Sequence, residues 1–263
     1  MDTLGARLDM TGRVALVTGG TSGIGRAAAQ GFLGQGATVV VCGRDPERGA
    51  AVVAELASDR VSFVAADVTD EEQVAGLVAT VVDRHGRLDY AFNNAANAEA
   101  VTSSGAFTDM SLDEYSGVLR TLMTSGWLSM RHEIPAMLAS GGGAVVNTSS
   151  MDAALLSAGA SSYAASKLGL EGLTVTVAKE FASRGIRVNA VRPGAILTPM
   201  LERHLSAGGP DARDRNVARY EQVIAMRRLG EPREVADVVV WLCSDAASYV
   251  TGQVLNVDGA LGM

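Results

Sequence analysis

Val14-Ala15-Leu16-Val17-Thr18-Gly19-Gly20-Thr21-Ser22-Gly23-Ile24-Gly25 decides the fold. The first four residues are an apolar run of strand length, the next eight are a glycine-rich turn, and Arg26 to Leu33 behind them is amphipathic. Strand, glycine turn and helix in that order let the backbone approach a diphosphate closely. The helix start also aims free N–H groups and a partial positive charge at it. Outward from this unit the alternation continues, with strands over Thr38 to Cys42, Val61 to Ala65 and Leu88 to Asn93, and helices over Pro46 to Ala57 and Asp70 to His85. Strands separated by helices of about a dozen residues imply right-handed crossovers and a parallel sheet covered on both faces. The prediction is therefore an α/β protein with a doubly wound parallel sheet in three layers, α/β/α. Its ligand crevice lies beyond the carboxyl ends of the strands, where the glycine turn, Asp67, Asn94 and Ser150 all fall.

The 263 residues contain no linker, so the expectation is a single domain over 1–263. A formal charge of −7 argues against nucleic acid or an anionic membrane as partner, because the summed field repels polyanions. Cys42 and Cys243 lie in apolar runs without metal-ligand spacing, which reads as two buried thiols in a reducing compartment and no metal. The first residues carry no apolar signal core and no run approaches a membrane span, so the expected location is cytoplasmic. In the second half, a helix-like stretch runs from Ser111 to about Leu138, with strands over Ala144 to Thr148, Ile186 to Val191 and Gln253 to Val257. Helices are expected over Ser161 to Arg184 and Glu231 to Asp245. Ile196 to Arg228 is rich in charge and small residues and reads as a lid over the substrate, with a solvated insertion as the other reading.

Tyr163 and Lys167 lie four residues apart in an Ala-rich helical run, so both side chains leave one face, a turn apart. A phenol titrates near pH ~10, and a fixed ammonium beside it moves it toward neutrality. Tyr163 is then the candidate acid and base, with Lys167 as its tuner. Ser150, at the end of the strand before this helix, is placed to hold a carbonyl oxygen beside the phenol.

Thr18 to Gly25, Asp67-Val68, Asn93-Asn94-Ala95, Ser150, Tyr163-Ala164-Ala165-Ser166-Lys167, Pro193-Gly194 with Thr198, and Gly252 to Gly259 together resemble the short-chain dehydrogenase/reductase family, in order along essentially the whole chain. The resemblance implies a Rossmann-type fold and hydride transfer between NAD(H) or NADP(H) and a ketone or secondary alcohol, with Ser150, Tyr163 and Lys167 catalytic. It implies cofactor contacts from Gly19, Thr21, Ser22, Gly23, Ile24, Gly25, Arg44, Asp67, Val68, Asn94, Ala95, Tyr163, Lys167, Pro193, Gly194, Ile196 and Thr198. It also implies a homo-oligomer, tetramer or dimer, with Glu231 to Asp245 and the last strand supplying contacts.

Three positions depart from the family. Ala96 stands where it usually has glycine, which alanine tolerates if φ stays negative. Leu122 stands where it has its fourth catalytic residue, an asparagine. Gly43 stands where NAD-binding members often have an acidic residue, and Arg44 follows it, which favours NADP(H) with NAD(H) possible. The leading expectation is a ketoreductase acting on a small molecule. The alternative, raised by Leu122, is a nucleotide-binding regulator or assembly subunit with weak or no turnover.

Overall fold

The computed structural model describes residues 3–96, 106–209 and 211–261. Seven parallel strands form one sheet in the order β3-β2-β1-β4-β5-β6-β7. They are β1 (Val14–Thr18), β2 (Thr38–Gly43), β3 (Val61–Ala65), β4 (Tyr90–Asn93), β5 (Gly143–Thr148), β6 (Ile186–Pro193) and β7 (Val254–Val257). The order reverses between β1 and β4, and that switch opens a crevice at the carboxyl ends of both strands. Every residue of β1 is buried, as expected for a central strand covered on both faces.

The helices are α1 (Leu4–Leu8), α2 (Gly23–Gly34), α3 (Pro46–Leu56), α4 (Glu71–His85), α5 (Leu112–Leu119), α6 (Ser125–Ala139), α7 (Met151–Leu155), α8 (Ser161–Phe181), α9 (Pro199–Ser206), α10 (Ala212–Val223) and α11 (Pro232–Cys243). On one face of the sheet α2 and α11 bury Phe32, Val235, Val239 and Leu242 against Val17, Val39 and Val146. On the other, α4, α6 and α8 bury Leu77, Val81, Ile134, Met137 and Leu170 against Leu16, Val40 and Val145. A smaller cluster, Met151, Ala195, Leu205, Ile224, Leu229 and Leu261, lies under α9 and α10.

Helix starts follow local chemistry. Asp45 and Asp70 accept first-turn N–H groups of α3 and α4, and Ser111 with Glu114 forms a reciprocal capping box on α5. The stretch expected as one helix from Ser111 contains a π-turn over Arg120–Thr124, where the Ser125 N–H bonds the Arg120 carbonyl five residues back. Strand β6 runs on to Pro193, and α1 and α7 are short helices that periodicity did not signal. Residues 97–105, between β4 and α5, lie outside the described residues.

Candidate active site

The glycine turn is shaped by close backbone contacts. A Cβ on Gly25 would sit 2.3 Å from the Gly19 carbonyl oxygen, and one on Gly19, whose φ is +63°, would sit 2.8 Å from the Ala95 Cα. Neither position admits a side chain, so α2 packs tightly onto the end of β1. At the start of α2 the Ser22 hydroxyl makes no capping bond, so the first-turn N–H groups face the crevice without a side-chain acceptor. Thr18 Oγ1 accepts from the N–H groups of Asn94 and Ala95 at 3.2 and 3.3 Å. The Asn94 amide donates to the Gly19 carbonyl at 3.3 Å and accepts from the Thr148 hydroxyl at 3.3 Å. These bonds join the ends of β1, β4 and β5 into one floor. Ala96 keeps its backbone outside the left-handed region, as alanine requires.

Around this floor stand the other residues expected at a cofactor. Asp67 is half-buried and its Oδ1 accepts from the Thr69 N–H and hydroxyl at 2.9 and 2.8 Å, with Val68 half-buried beside it. Gly43 ends β2 against Thr21, where a Cβ would come within 3.0 Å of the threonine methyl. Arg44 is exposed and makes no ion pair or hydrogen bond among the described residues. Pro193 closes β6, and Gly194 donates its N–H to the Val257 carbonyl at 3.0 Å. Ile196 is buried, and Thr198 caps α9 while its methyl lies 3.1 Å from where a Gly23 Cβ would stand. Ile24 is half-buried in α2 and packs against the core. A glycine cradle, an open helix start and a switch-point crevice fit a dinucleotide.

Ser150, Tyr163 and Lys167 meet at the rim of the same crevice. Ser150 is the N-cap of α7, and its Oγ accepts from the Asp152 N–H at 3.2 Å, leaving its hydrogen to donate. The preceding Ser149 points inward instead, donating to Glu171 at 2.5 Å. Tyr163 leaves α8 half-buried. Burial pushes its phenol up to about 12, the adjacent Ser150 hydroxyl draws it down, and the Asp152 carboxylate raises it again. Lys167 is buried, donates to the Thr148 carbonyl at 2.8 Å, and places Nζ 5.9 Å from the Tyr163 ring centroid. Burial pushes its ammonium down to about 8, opposed by the Glu171 carboxylate. Lys167 thus stands on the same face of α8 as the phenol, as the four-residue spacing predicts, and burial is the largest influence on the phenol itself.

Leu122 is 2% exposed in the π-turn. With Thr18, Asn93, Ser125, Ser129, Thr148 and Lys167 it lines a small, partly open cavity of about 10 Å³. That is close to the least space a single water needs, on the order of 10–15 Å³. The π-turn shifts the helical register just before Ser125, which lines this cavity. Thr121 donates back to the Gly117 carbonyl at 3.0 Å, and Thr124 lines an outer groove instead.

Glu171 was not among the expected site residues. It accepts from Arg192 at 2.6 and 2.5 Å and from Ser149, so one carboxylate ties α8 to the ends of β5 and β6. Its only sequence signal is its spacing, four residues past Lys167 on the same helix face. Ser129 and Asp152 carried no sequence signal that separates them from ordinary helix residues.

A family model described as enoyl-(acyl carrier protein) reductase matches residues 19–261. The chain is 40% identical over 253 residues to the A-factor type gamma-butyrolactone 1'-reductase (1S-forming) of Streptomyces virginiae, covering 95% of each chain. It is 37% identical over 255 residues to the cyclohexanol dehydrogenase of an Acinetobacter species, covering 94% of each. The crystal structure of levodione reductase superposes with a TM-score of 0.88 at 35% identity, covering 95% of this chain and 97% of that one. Matched from the glycine turn to the last strand by a family model, and over nearly its whole length by such relatives, the chain belongs to the short-chain dehydrogenase/reductase family of NAD(P)-dependent oxidoreductases.

Proposed function

We propose that this protein is a cytoplasmic ketoreductase that prefers NADP(H) and acts on a ketone or the matching secondary alcohol. The observation that carries this reading is the meeting of a donor hydroxyl (Ser150), a protonated phenol (Tyr163) and a buried ammonium (Lys167) at the rim of the dinucleotide-shaped crevice. When bound, the nicotinamide supplies or accepts the hydride. Ser150 Oγ–H donates to the substrate oxygen and concentrates its developing charge. Tyr163 Oη gives its proton to that oxygen as it becomes an alkoxide, or takes it back in the reverse direction. Lys167 holds positive charge beside the phenol, and Ser125 and Ser129 line the same cavity as its side chain. The protonated phenol is the form that delivers the proton in the reduction.

The cofactor preference rests on Arg44, exposed and free to pair with a 2′-phosphate, and on Gly43, which presents no carboxylate to repel one. Segment 196–228 serves as the substrate lid, its helices α9 and α10 covering the small apolar cluster beside Met151. The buried Leu122 favours a second reading, a nucleotide-binding subunit with little turnover. Retention of the lysine, phenol and serine together weighs against it, because binding alone does not need them.

The test is a hydride-transfer screen with NADPH and NADH against a carbonyl panel, opened with cyclohexanone because one relative is named for cyclohexanol. Calorimetry on the same samples is expected to give tighter NADPH than NADH binding. Tighter NADH binding would overturn the preference, and no turnover on the panel with intact nucleotide binding would favour the subunit reading.

A further inference from the structure

Glu133 on α6 is fully buried and has no part in the chemistry above. Its surroundings form a chain of hydrogen bonds whose direction is forced. The Thr174 hydroxyl donates to the Leu170 carbonyl at 2.8 Å, so its oxygen accepts from Asn147 Nδ2 at 2.9 Å. Asn147 Oδ1 then accepts from Asn93 Nδ2 at 3.1 Å, and the same nitrogen donates to Glu133 Oε2 at 3.0 Å. This sequence fixes the orientation of the Asn93 amide. Among the described residues it leaves two buried acceptors without a donor, Asn93 Oδ1 and Glu133 Oε1. Both belong to one hydrogen-bonded pair, and a carboxylic acid hydrogen on Glu133 would turn one of these acceptors into a donor.

We propose that Glu133 is a positioning residue held as the neutral acid, that its pairing with Asn93 sets the cofactor-facing end of β4, and that its ionisation weakens nucleotide binding. The second half rests on the reading of the crevice as a nucleotide site. The route from one to the other is short. Asn93 is the last residue of β4 and lines the cavity shared with Lys167. The next residue, Asn94, bridges the Gly19 carbonyl and Thr148 at the crevice floor. An ionised Glu133 would set a bare carboxylate oxygen beside the Asn93 carbonyl oxygen and push that strand end out of register with the glycine turn.

Among the described residues, the groups around Glu133 do not supply a counter-charge. From β4 and β5 come the two asparagines, with Thr174 of α8 behind Asn147, and from β2 the Cys42 thiol, itself pushed up to about 12 by burial. Lys167, across the cavity, is held by the Thr148 carbonyl. On α6 itself, Arg131 and His132 turn outward to Glu71 of α4. Burial accordingly lifts the carboxyl to about 7, with the Asn93 bond opposing.

Glu133→Gln is a permanent copy of the neutral acid: its amide oxygen accepts from Asn93 Nδ2 and its N–H donates to Asn93 Oδ1. The experiment measures NADPH binding and thermal unfolding of the full chain, parent and E133Q, from about pH 5 to about pH 9. In the parent, the nucleotide dissociation constant is expected to rise by about 3- to 10-fold across neutrality, within the one-proton limit of tenfold per pH unit; in E133Q that rise should be lost, leaving only the change at higher pH that Lys167 gives both proteins. The folded state holds the proton more tightly than the unfolded chain, so this group's contribution to stability falls as pH rises from about 4.5 to about 7 and is constant above. E133Q should therefore melt about 5 °C or more above the parent at pH 8 and close to it at pH 5. An infrared band of a protonated buried carboxyl, present in the parent at pH 6 and absent in E133Q, is the direct signature.

Identical pH profiles for parent and variant in both binding and melting, or the absence of that band, would overturn the proposal. A variant shifted equally at every pH would overturn it too, since that is what a packing role predicts. Failure of any nucleotide to bind would strike the reading of the crevice instead. The melting and infrared arms need no nucleotide and would still support the neutral acid.

Discussion

At the scale of single residues the crevice separates groups by what surrounds them more than by what they are. Two adjacent serines divide: Ser149 is 2% exposed and bonded to Glu171, while Ser150 caps a short helix and keeps its hydrogen free. Tyr163 is held protonated by desolvation, so Tyr163→Phe should lower turnover by ~100-fold or more while nucleotide affinity and melting temperature stay near those of the parent. Steady-state rates beside calorimetry check this, and equal rates would end the assignment. Because burial raises the phenol, which must be deprotonated to accept a proton, oxidation of an alcohol should speed up with rising pH while reduction does not. Leu122 shares the cavity with Lys167, so Leu122→Asn places an amide where one water has barely enough room. In an active parent this change should leave turnover unchanged or raised. In an inactive parent, a variant that loses about 1–3 kcal/mol without gaining turnover would mark the leucine as an apolar plug and favour the subunit reading.

The elements matter through their ends. α2 meets β1 because Gly19 and Gly25 allow backbone contact, and the π-turn between α5 and α6 shifts the helical register just before Ser125, which lines the cavity shared with Lys167. The strongest tie between elements is Glu171, which holds α8 to the ends of β5 and β6 and so positions Lys167, Ser150 and Pro193 together. Removing one partner of such a half-buried pair strands the other, so Glu171→Ala should cost about 3 kcal/mol or more and lower turnover in parallel. Arg192→Ala should do much the same, and the double variant should cost clearly less than the two single losses combined. Denaturant melts of the four proteins would test this, and strict additivity would show that the contacts are independent.

Over the whole molecule, apolar side chains remain on the outside in a pattern that one chain does not explain. Trp127, 41% exposed, lines a groove between α6 and α8 together with Met123, Gly169, Gly172 and Leu173. Leu112 and Phe107 are 76% and 78% exposed. An exposed apolar groove is the kind of surface that association between copies covers. A homo-oligomer is expected, with this face or α11 and β7 as contacts. Light scattering should return a multiple of 27.1 kDa at micromolar concentration, and the monomer mass would rule it out.

The order of strands and helices, the switch-point crevice and the trio Ser150, Tyr163 and Lys167 were legible in the chain, because each is written locally: hydrophobic period, glycine placement, four-residue spacing. That Ser149 turns inward to Glu171 while Ser150 caps a short helix was decided by the tertiary structure. So was the state of the phenol. Spacing announces that an ammonium is near, but the balance between its field and desolvation depends on how many atoms from distant segments close over the ring. The same holds for Leu122. The resemblance shows that an asparagine is missing, but that a π-turn, a one-residue change of helical register, lies at this position and that Leu122 and Ser125 line one cavity with Lys167 is seen only in the tertiary structure. Glu133 is the furthest case. Nothing in the run Arg131 to Ile134 distinguishes it from a surface carboxylate. Its burial is a product of three elements meeting, β4, β5 and α8, whose side chains lie 40, 14 and 41 residues away along the chain and impose on it a proton that no local pattern encodes.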